Sequence, residues 1–128
     1  GSRPAHHPEE LHIGDWAILS GYTLVHQFCM VGAHSFTGMG TSVGKDIPAY
    51  MTASGSPAEI KTINAEGLRR RGFSADTISE LRRAYKIIYR QGLTIDIALE
   101  RLDEMLKDTP ELNVLIESLR SSERGIVR

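Results

Sequence analysis

Residues 13 to 48 read Ile13-Gly-Asp-Trp-Ala-Ile18, Leu19-Ser-Gly-Tyr-Thr-Leu24, Val25-His-Gln-Phe-Cys-Met30, Val31-Gly-Ala-His-Ser-Phe36, Thr37-Gly-Met-Gly-Thr-Ser42 and Val43-Gly-Lys-Asp-Ile-Pro48, six hexads without remainder. The first slot holds Ile13, Leu19, Val25, Val31, Thr37 and Val43. The fifth holds Ala17, Thr23, Cys29, Ser35 and Thr41, mostly small, and then Ile47. An amphipathic helix repeats every 3.6 residues and a half-buried strand every two, so neither explains a period of six. Ordinary antiparallel strands would not keep one register six times over. A parallel β-helix of hexapeptides does, each hexad forming one side and one corner of a triangular coil. The branched residue then fills the interior and the small one fits the tight turn. Gly14, Gly32, Gly38 and Gly44 in the second slot are expected where bending leaves little room for a Cβ. Three hexads close one coil, so the stretch predicts about two coils stacked at roughly 4.8 Å.

Outward from this core, Gly1 to Leu11 fall outside the pattern and read as a polar, proline-containing leader, with Gly1-Ser2 a cloning remnant. His6 and His7 lack a third ligand at useful spacing, so no metal site is expected. After Pro48, Ala49 to Ser56 reads as a last strand and turn. Asn64 is placed to cap a short helix through Arg71, with Gly72 ending it. Ser74 caps a second helix whose Ile78, Leu81, Tyr85 and Ile88 share a face. Thr94 starts a third with Ile95, Ala98, Leu99, Leu102 and Leu106 inward. Thr109-Pro110 starts a fourth with Leu112, Leu115 and Leu119 inward. The expected organisation is a leader at 1–11, a β-helix at 12–56 and an α-helical domain at 57–128.

A net charge of −1 predicts no global attraction to nucleic acid or to a membrane surface. No apolar run approaches the roughly 20 residues of a membrane span, and no signal-peptide core is visible. Cys29, the single cysteine, falls in a small-residue slot and reads as a buried thiol in a reducing compartment. These features predict a cytoplasmic protein. The charges are nonetheless clustered. Arg69, Arg70 and Arg71 are consecutive, and their guanidinium forks match phosphate oxygens. Arg82, Lys86 and Arg90 recur at intervals of four, with Arg83 adjacent; they read either as a docking face for an acidic partner or as a solvated helix face.

Three stretches together carry a resemblance: Ile18-Leu-Ser-Gly-Tyr-Thr-Leu-Val-His26-Gln27-Phe-Cys, then Val43-Gly-Lys-Asp-Ile-Pro-Ala-Tyr, then Asn64-Ala-Glu-Gly-Leu-Arg-Arg-Arg-Gly-Phe-Ser74. With Ala84-Tyr-Lys-Ile-Ile-Tyr-Arg and the ending Arg124-Gly-Ile-Val-Arg128, they resemble the C-terminal part of the UDP-N-acetylglucosamine acyltransferase family over Ile13 to Arg128. The resemblance implies a homotrimer of left-handed parallel β-helices, each followed by a helical domain, with active sites between subunits and no cofactor. It implies transfer of an R-3-hydroxyacyl chain from acyl carrier protein to the 3-hydroxyl of UDP-N-acetylglucosamine, the first step of lipid A biosynthesis, with a histidine as general base.

By position, His26 and Gln27 match a pair lining the acyl and sugar-nucleotide cleft, and Asn64, Glu66, Arg70 and Arg71 match residues that hold the nucleotide and its phosphates. Arg82 matches a basic residue on the carrier-protein face, with Arg83, Lys86 and Arg90 beside it. Met39 matches the acyl-length ruler, and its side chain implies a chain of about ten carbons. The family's catalytic histidine belongs to coils that precede the matching segment. His6, His7 and His12 lack the hexad context, His26 is not the base, and His34 is expected as a surface corner residue. Ser56-Pro57-Ala58 stands where Asn-Pro-Ala is commoner. No catalytic residue is therefore assigned. The expected protein is a C-terminal portion of the acyltransferase, inactive alone. The alternatives are a noncatalytic trimeric scaffold that binds acyl carrier protein or a peptide and, more weakly, another hexapeptide-repeat acyltransferase.

Overall fold

The computed structural model describes residues 12–122 and 125–128. The leader at 1–11, with His6 and His7, and Arg124 of the closing motif lie outside the described residues. Two-residue strands begin every six residues: β1 His12–Ile13, β2 Ile18–Leu19, β3 Leu24–Val25, β4 Met30–Val31, β5 Phe36–Thr37 and β6 Ser42–Val43. They pair in parallel as β1 with β4, β2 with β5 and β3 with β6, each partner eighteen residues on, as in His12 opposite Met30. The three pairings belong to three separate sheets. One hexad therefore makes one face, and three hexads return the chain to its own register. Second-slot amides of one coil bond first-slot carbonyls of the next, as Gly14 N–H to Val31 O at 2.7 Å and His26 N–H to Val43 O at 2.9 Å.

The corners are made in the fourth slot, not the second. Trp16, Tyr22, Phe28, His34 and Gly40 all have φ between +60° and +72°, and all but the last carry a Cβ. A left-handed residue of this kind costs on the order of 1 kcal/mol. The conformation aims its N–H at the preceding coil: His34 N–H donates to Asp15 O and Gly40 N–H to Gly21 O, both at 2.9 Å. One such bond, worth about 0.5–1.5 kcal/mol, offsets the strain. The second-slot glycines serve a different need from the one expected. A Cβ on Gly14 would be driven into the Ala33 backbone, and one on Gly32 into the Ala49 backbone, because the next coil passes directly over them. At Gly44 the closest atom to such a Cβ is His26 Cδ2, at 3.8 Å.

The first and fifth slots point inward. Cys29, Val31, Ser35, Thr37, Thr41 and Val43 are fully buried. After β6 the coil continues into β7 (Met51–Ser54), parallel to β5, and turns at Gly55 into β8 (Glu59–Ile63), antiparallel to β7. The expected junction at 56/57 thus falls inside a hairpin, and the sheet runs on to Ile63. Thr52 pairs with Thr62 and Ala53 with Ile60, leaving Lys61 as a bulge. The Tyr85 hydroxyl donates to the Lys61 carbonyl at 2.9 Å.

Helices α1 (Ala65–Arg70), α2 (Ala75–Tyr89) and α3 (Ile95–Leu106) start where Asn64, Ser74 and Thr94 accept from the amides of Gly67, Thr77 and Ile97. Helix α4 (Leu112–Arg120) begins after a turn through Pro110 and Glu111, later than Thr109-Pro110 would set it. Leu81, Leu102, Leu112, Leu115 and Ile116 pack into a core continuous with Val43, Ile47, Ala49 and Met51 of the coil. On α3, Met105 is buried while Ile95, Leu99 and Leu106 are only half-buried. The tail closes the seam: Val127 N–H donates to Asp46 O at 2.8 Å, and Asp46 Oδ1 accepts from Met30 N–H at 2.7 Å.

Gly32→Ala is expected to destabilise the chain by about 1–3 kcal/mol, since the backbone above it cannot yield. Gly44→Ala, with open space, is expected to leave stability within about 0.5 kcal/mol. Urea unfolding of the two variants tests this, and equal losses would contradict the close-approach account.

Candidate functional site

Eighteen-residue register puts Trp16 and His34 one above the other at the same corner, and Tyr50, also left-handed at φ +71°, continues the column. His34 is at a corner as expected, but it is not a surface residue. Its ring stacks on Tyr50 at 5.6 Å between centroids and meets the edge of Phe73 at 5.1 Å, half-buried between the coil and the turn after α1. Tyr50 anchors the column from below by donating its hydroxyl to Glu111 O at 2.8 Å, and burial foremost, then Glu111, pushes its pKa up to about 12.

Helix α1 stands against this corner. Asn64 binds both sides of the junction: Oδ1 accepts from Gly67 N–H at 3.2 Å, and Nδ2 donates to the His34 carbonyl at 2.9 Å. A side chain at position 67 would collide with that amide, so a glycine is required there. Between corner and helix lies a cleft of about 580 Å³, lined by Trp16, Ala17, Ile18, His34, Phe36, Asn64, Glu66, Gly67, Arg70 and Arg71. Its coil side is largely apolar and its helix side carries two guanidinium groups. Glu66 pairs with Arg70 at 3.3 Å and with Arg69 at 3.4 Å. All three side chains are well exposed, so these pairs contribute under about 1 kcal/mol and can exchange for a ligand oxygen. Arg71 lies over the Trp16 ring, 3.8 Å from its centroid. An apolar wall facing an arginine edge suits a flat ring attached to an anionic group.

Asn64, Glu66, Arg70 and Arg71 are thus brought together. Arg69 is not: it lines a separate hollow with Phe73, Ile78 and Arg82. His26 and Gln27 are exposed at the corner between β3 and β4, and Met39, 76% exposed, stands at the corner between β5 and β6 beside Gly40. These three occupy the two corners of the triangle that the cleft does not use. The single basic face expected on α2 is divided. Arg82 reaches Thr62 Oγ1 at 3.5 Å and Arg90 donates to the Tyr85 hydroxyl at 3.2 Å, on the β8 side. Arg83 and Lys86 line the groove between α2 and α3 opposite Arg101, with Arg83 paired to Glu80. Sequence reasoning missed Trp16, His34 and Phe36; the fourth-slot aromatics, eighteen apart, were the available signal for the first two. Among the described residues no group of three His, Cys, Asp or Glu is placed to hold a metal, and no helix is long and apolar enough to cross a membrane.

Fold and cleft define a hexapeptide-repeat protein whose C-terminal helical unit supplies the arginine-bearing side of a cleft against the coil. The family described as UDP N-acetylglucosamine O-acyltransferase, domain 2, matches residues 46–127, and the chain belongs to that family. It is 60% identical over 118 residues to the acyl-(acyl-carrier-protein):UDP-N-acetylglucosamine O-acyltransferase of Pseudomonas entomophila, covering 92% of this chain and 46% of that protein. Among solved structures it is similar to LpxA from Acinetobacter baumannii, at TM-score 0.90 and 48% identity over 92% of this chain and 46% of that one. The Arabidopsis UDP-N-acetylglucosamine acyltransferase superposes at TM-score 0.84 with 33% identity, over 92% and 44%. The chain therefore spans a little under half the length of these relatives.

Burial foremost, then the Arg71 charge, lowers the His34 pKa below its ordinary 6.5, against an opposing pull from Asp15. The folded state thus holds the imidazole neutral, and the unfolded chain takes up the proton first as pH falls. The stability this ring contributes is present above about pH 6.5 and is lost as pH drops through the folded value. His34→Asn keeps a residue tolerant of positive φ. The stability gap between wild type and His34→Asn, from urea unfolding, is expected to be widest near pH 7.5 and to narrow toward about pH 5. A gap independent of pH would contradict the neutral, half-buried ring.

Proposed function

We propose that this chain is the nucleotide-holding portion of an acyltransferase that moves an R-3-hydroxyacyl chain from acyl carrier protein to the 3-hydroxyl of UDP-N-acetylglucosamine. The observation that carries the reading is the convergence of Asn64, Glu66, Arg70 and Arg71 on one cleft against the apolar corner of the coil. Arg70 and Arg71 hold the diphosphate, and Asn64 and Glu66 offer polar groups to the rest of the nucleotide.

The coil is a left-handed parallel β-helix and the assembly a cytoplasmic homotrimer. The trimer reading is supported by the separation of the proposed site residues. Within one chain His26, Gln27, Met39 and the cleft occupy different corners, so only a neighbouring copy can bring them to one another. It is supported also by the apolar side chains on the outside of the coil, Trp16, Ile18, Tyr22, Leu24, Phe28 and Met39, which are 39–91% exposed. Met39 stops the acyl channel at about ten carbons. Arg82, Arg83, Lys86 and Arg90 meet the acidic carrier protein from two sides of α2. The general base comes from coils that this chain does not match, so the 128 residues bind without turnover.

Calorimetric titration of the chain with UDP-N-acetylglucosamine is expected to show binding that weakens about tenfold or more in Arg70→Ala, with a trimeric mass by light scattering. Incubation with hydroxydecanoyl carrier protein is expected to give no product. Binding unaffected by Arg70→Ala would overturn the nucleotide reading, and turnover would overturn the assignment of the base to other coils.

A further inference from the structure

We propose that Trp16 is a positioning residue that holds the Arg71 guanidinium over the cleft, so that a diphosphate meets an arginine already oriented. The inference rests on the nucleotide reading above and extends it to a residue on the coil.

Trp16 is the single tryptophan of the chain. It sits in a left-handed corner at φ +62°, and the backbone around it is tied to the next coil by the His34 N–H bond to Asp15 O. Arg71 ends α1, where its N–H donates to the carbonyls of Gly67 and Leu68 and Gly72 turns the chain away at φ +88°. Both partners of the stack are therefore fixed to rigid backbone, one on the coil and one on the helix. Their contact, 3.8 Å from guanidinium carbon to ring centroid, joins the coil side of the cleft to its helix side.

The chemistry of the two groups makes this contact useful. A guanidinium carries all five N–H donors in its plane and none on its faces. Stacking uses a face, so the edge stays open for phosphate oxygens. Arg70 is held differently: the Glu66 carboxylate occupies its edge and competes with an incoming anion. A lone arginine on the surface loses rotamer freedom when it engages a ligand, at about two- to tenfold in affinity. The indole removes that loss beforehand by ordering Arg71 without occupying its donors.

The test is calorimetry on the 128-residue chain with UDP, uridine and inorganic pyrophosphate, across Trp16→Ala, Trp16→Phe, Arg71→Ala and the double variant. Trp16→Ala is expected to weaken UDP and pyrophosphate about three- to tenfold and to leave uridine unchanged, while Trp16→Phe recovers most of the loss. In the Arg71→Ala background, Trp16→Ala is expected to cost nothing further. Equal weakening of uridine, or additive losses in the double variant, would overturn the positioning role and leave Trp16 as a simple wall. If UDP and uridine fail to bind while pyrophosphate binds with the Trp16 and Arg71 effects coupled, the nucleotide reading falls and the positioning role stands. If pyrophosphate binding is indifferent to Arg71→Ala, the positioning role falls.

Discussion

The eighteen-residue register between coils is the constraint on which everything else depends. It is enforced by second-slot amides reaching forward to the next coil, from Gly14 through Gly38, and by the left-handed fourth-slot amides of His34 and Gly40 reaching back. A slip of one residue would break both sets and turn the first-slot side chains outward. The register also decides what shares a corner. Trp16 and His34 lie together because they are one coil apart, and Tyr50 joins them because the last coil shortens before β7. The cleft is thus a consequence of periodicity, with one wall laid down by residues distant in sequence and close in space.

A coil this narrow must satisfy its own turning carbonyls, and the fifth slot does so. The Thr23, Ser35 and Thr41 hydroxyls donate to the carbonyls of Ser20, Gly32 and Gly38, three residues back, at 2.5 to 2.7 Å. Small size explains only half of that slot; the hydroxyl supplies a donor where no solvent reaches, as at the fully buried Ser35 and Thr41. In the second coil the first-slot residues Val31, Thr37 and Val43 are fully buried. Val43 belongs to the apolar core that the coil shares with the helical unit.

What the sequence discloses follows the range of the physics. The hexad is legible because each turn of it repeats the same local demand. Helix starts at Asn64, Ser74 and Thr94 are legible because capping is settled within three residues. Strand β8 is not, since the bulge at Lys61 puts Ile60 and Ile63 on the same side and destroys the alternation that marks a strand. Fourth-slot residues mislead for another reason. Left-handed φ is read from glycine or asparagine, whereas here tryptophan, tyrosine, phenylalanine and histidine adopt it at the corners of the repeat. Asn64 and Glu66 follow from the resemblance to a family, Arg70 and Arg71 from it and from the run of three arginines, and none follows from a period. No pattern local to α1 states that the aromatic corner will lie opposite.

The helical unit is more than an appendage to the coil, because the last coil residues belong to both. Between Asp46 and Met51 the chain exchanges bonds with the tail, with α4 and with the start of α1: Asp46 with Gly125 and Val127, Ala49 N–H with Ser118 Oγ, and Tyr50 with Glu111 and Asn64. Ile47, Ala49 and Met51 are at once the end of the coil interior and the beginning of the helical core. Any tilt of the helices against the coil must therefore break hydrogen bonds in this seam and open a continuous apolar core. That rigidity fixes the distance from the Asn64 amide to the His34 carbonyl, and it is why a cleft with one wall on the coil and the other on a six-residue helix keeps a defined shape.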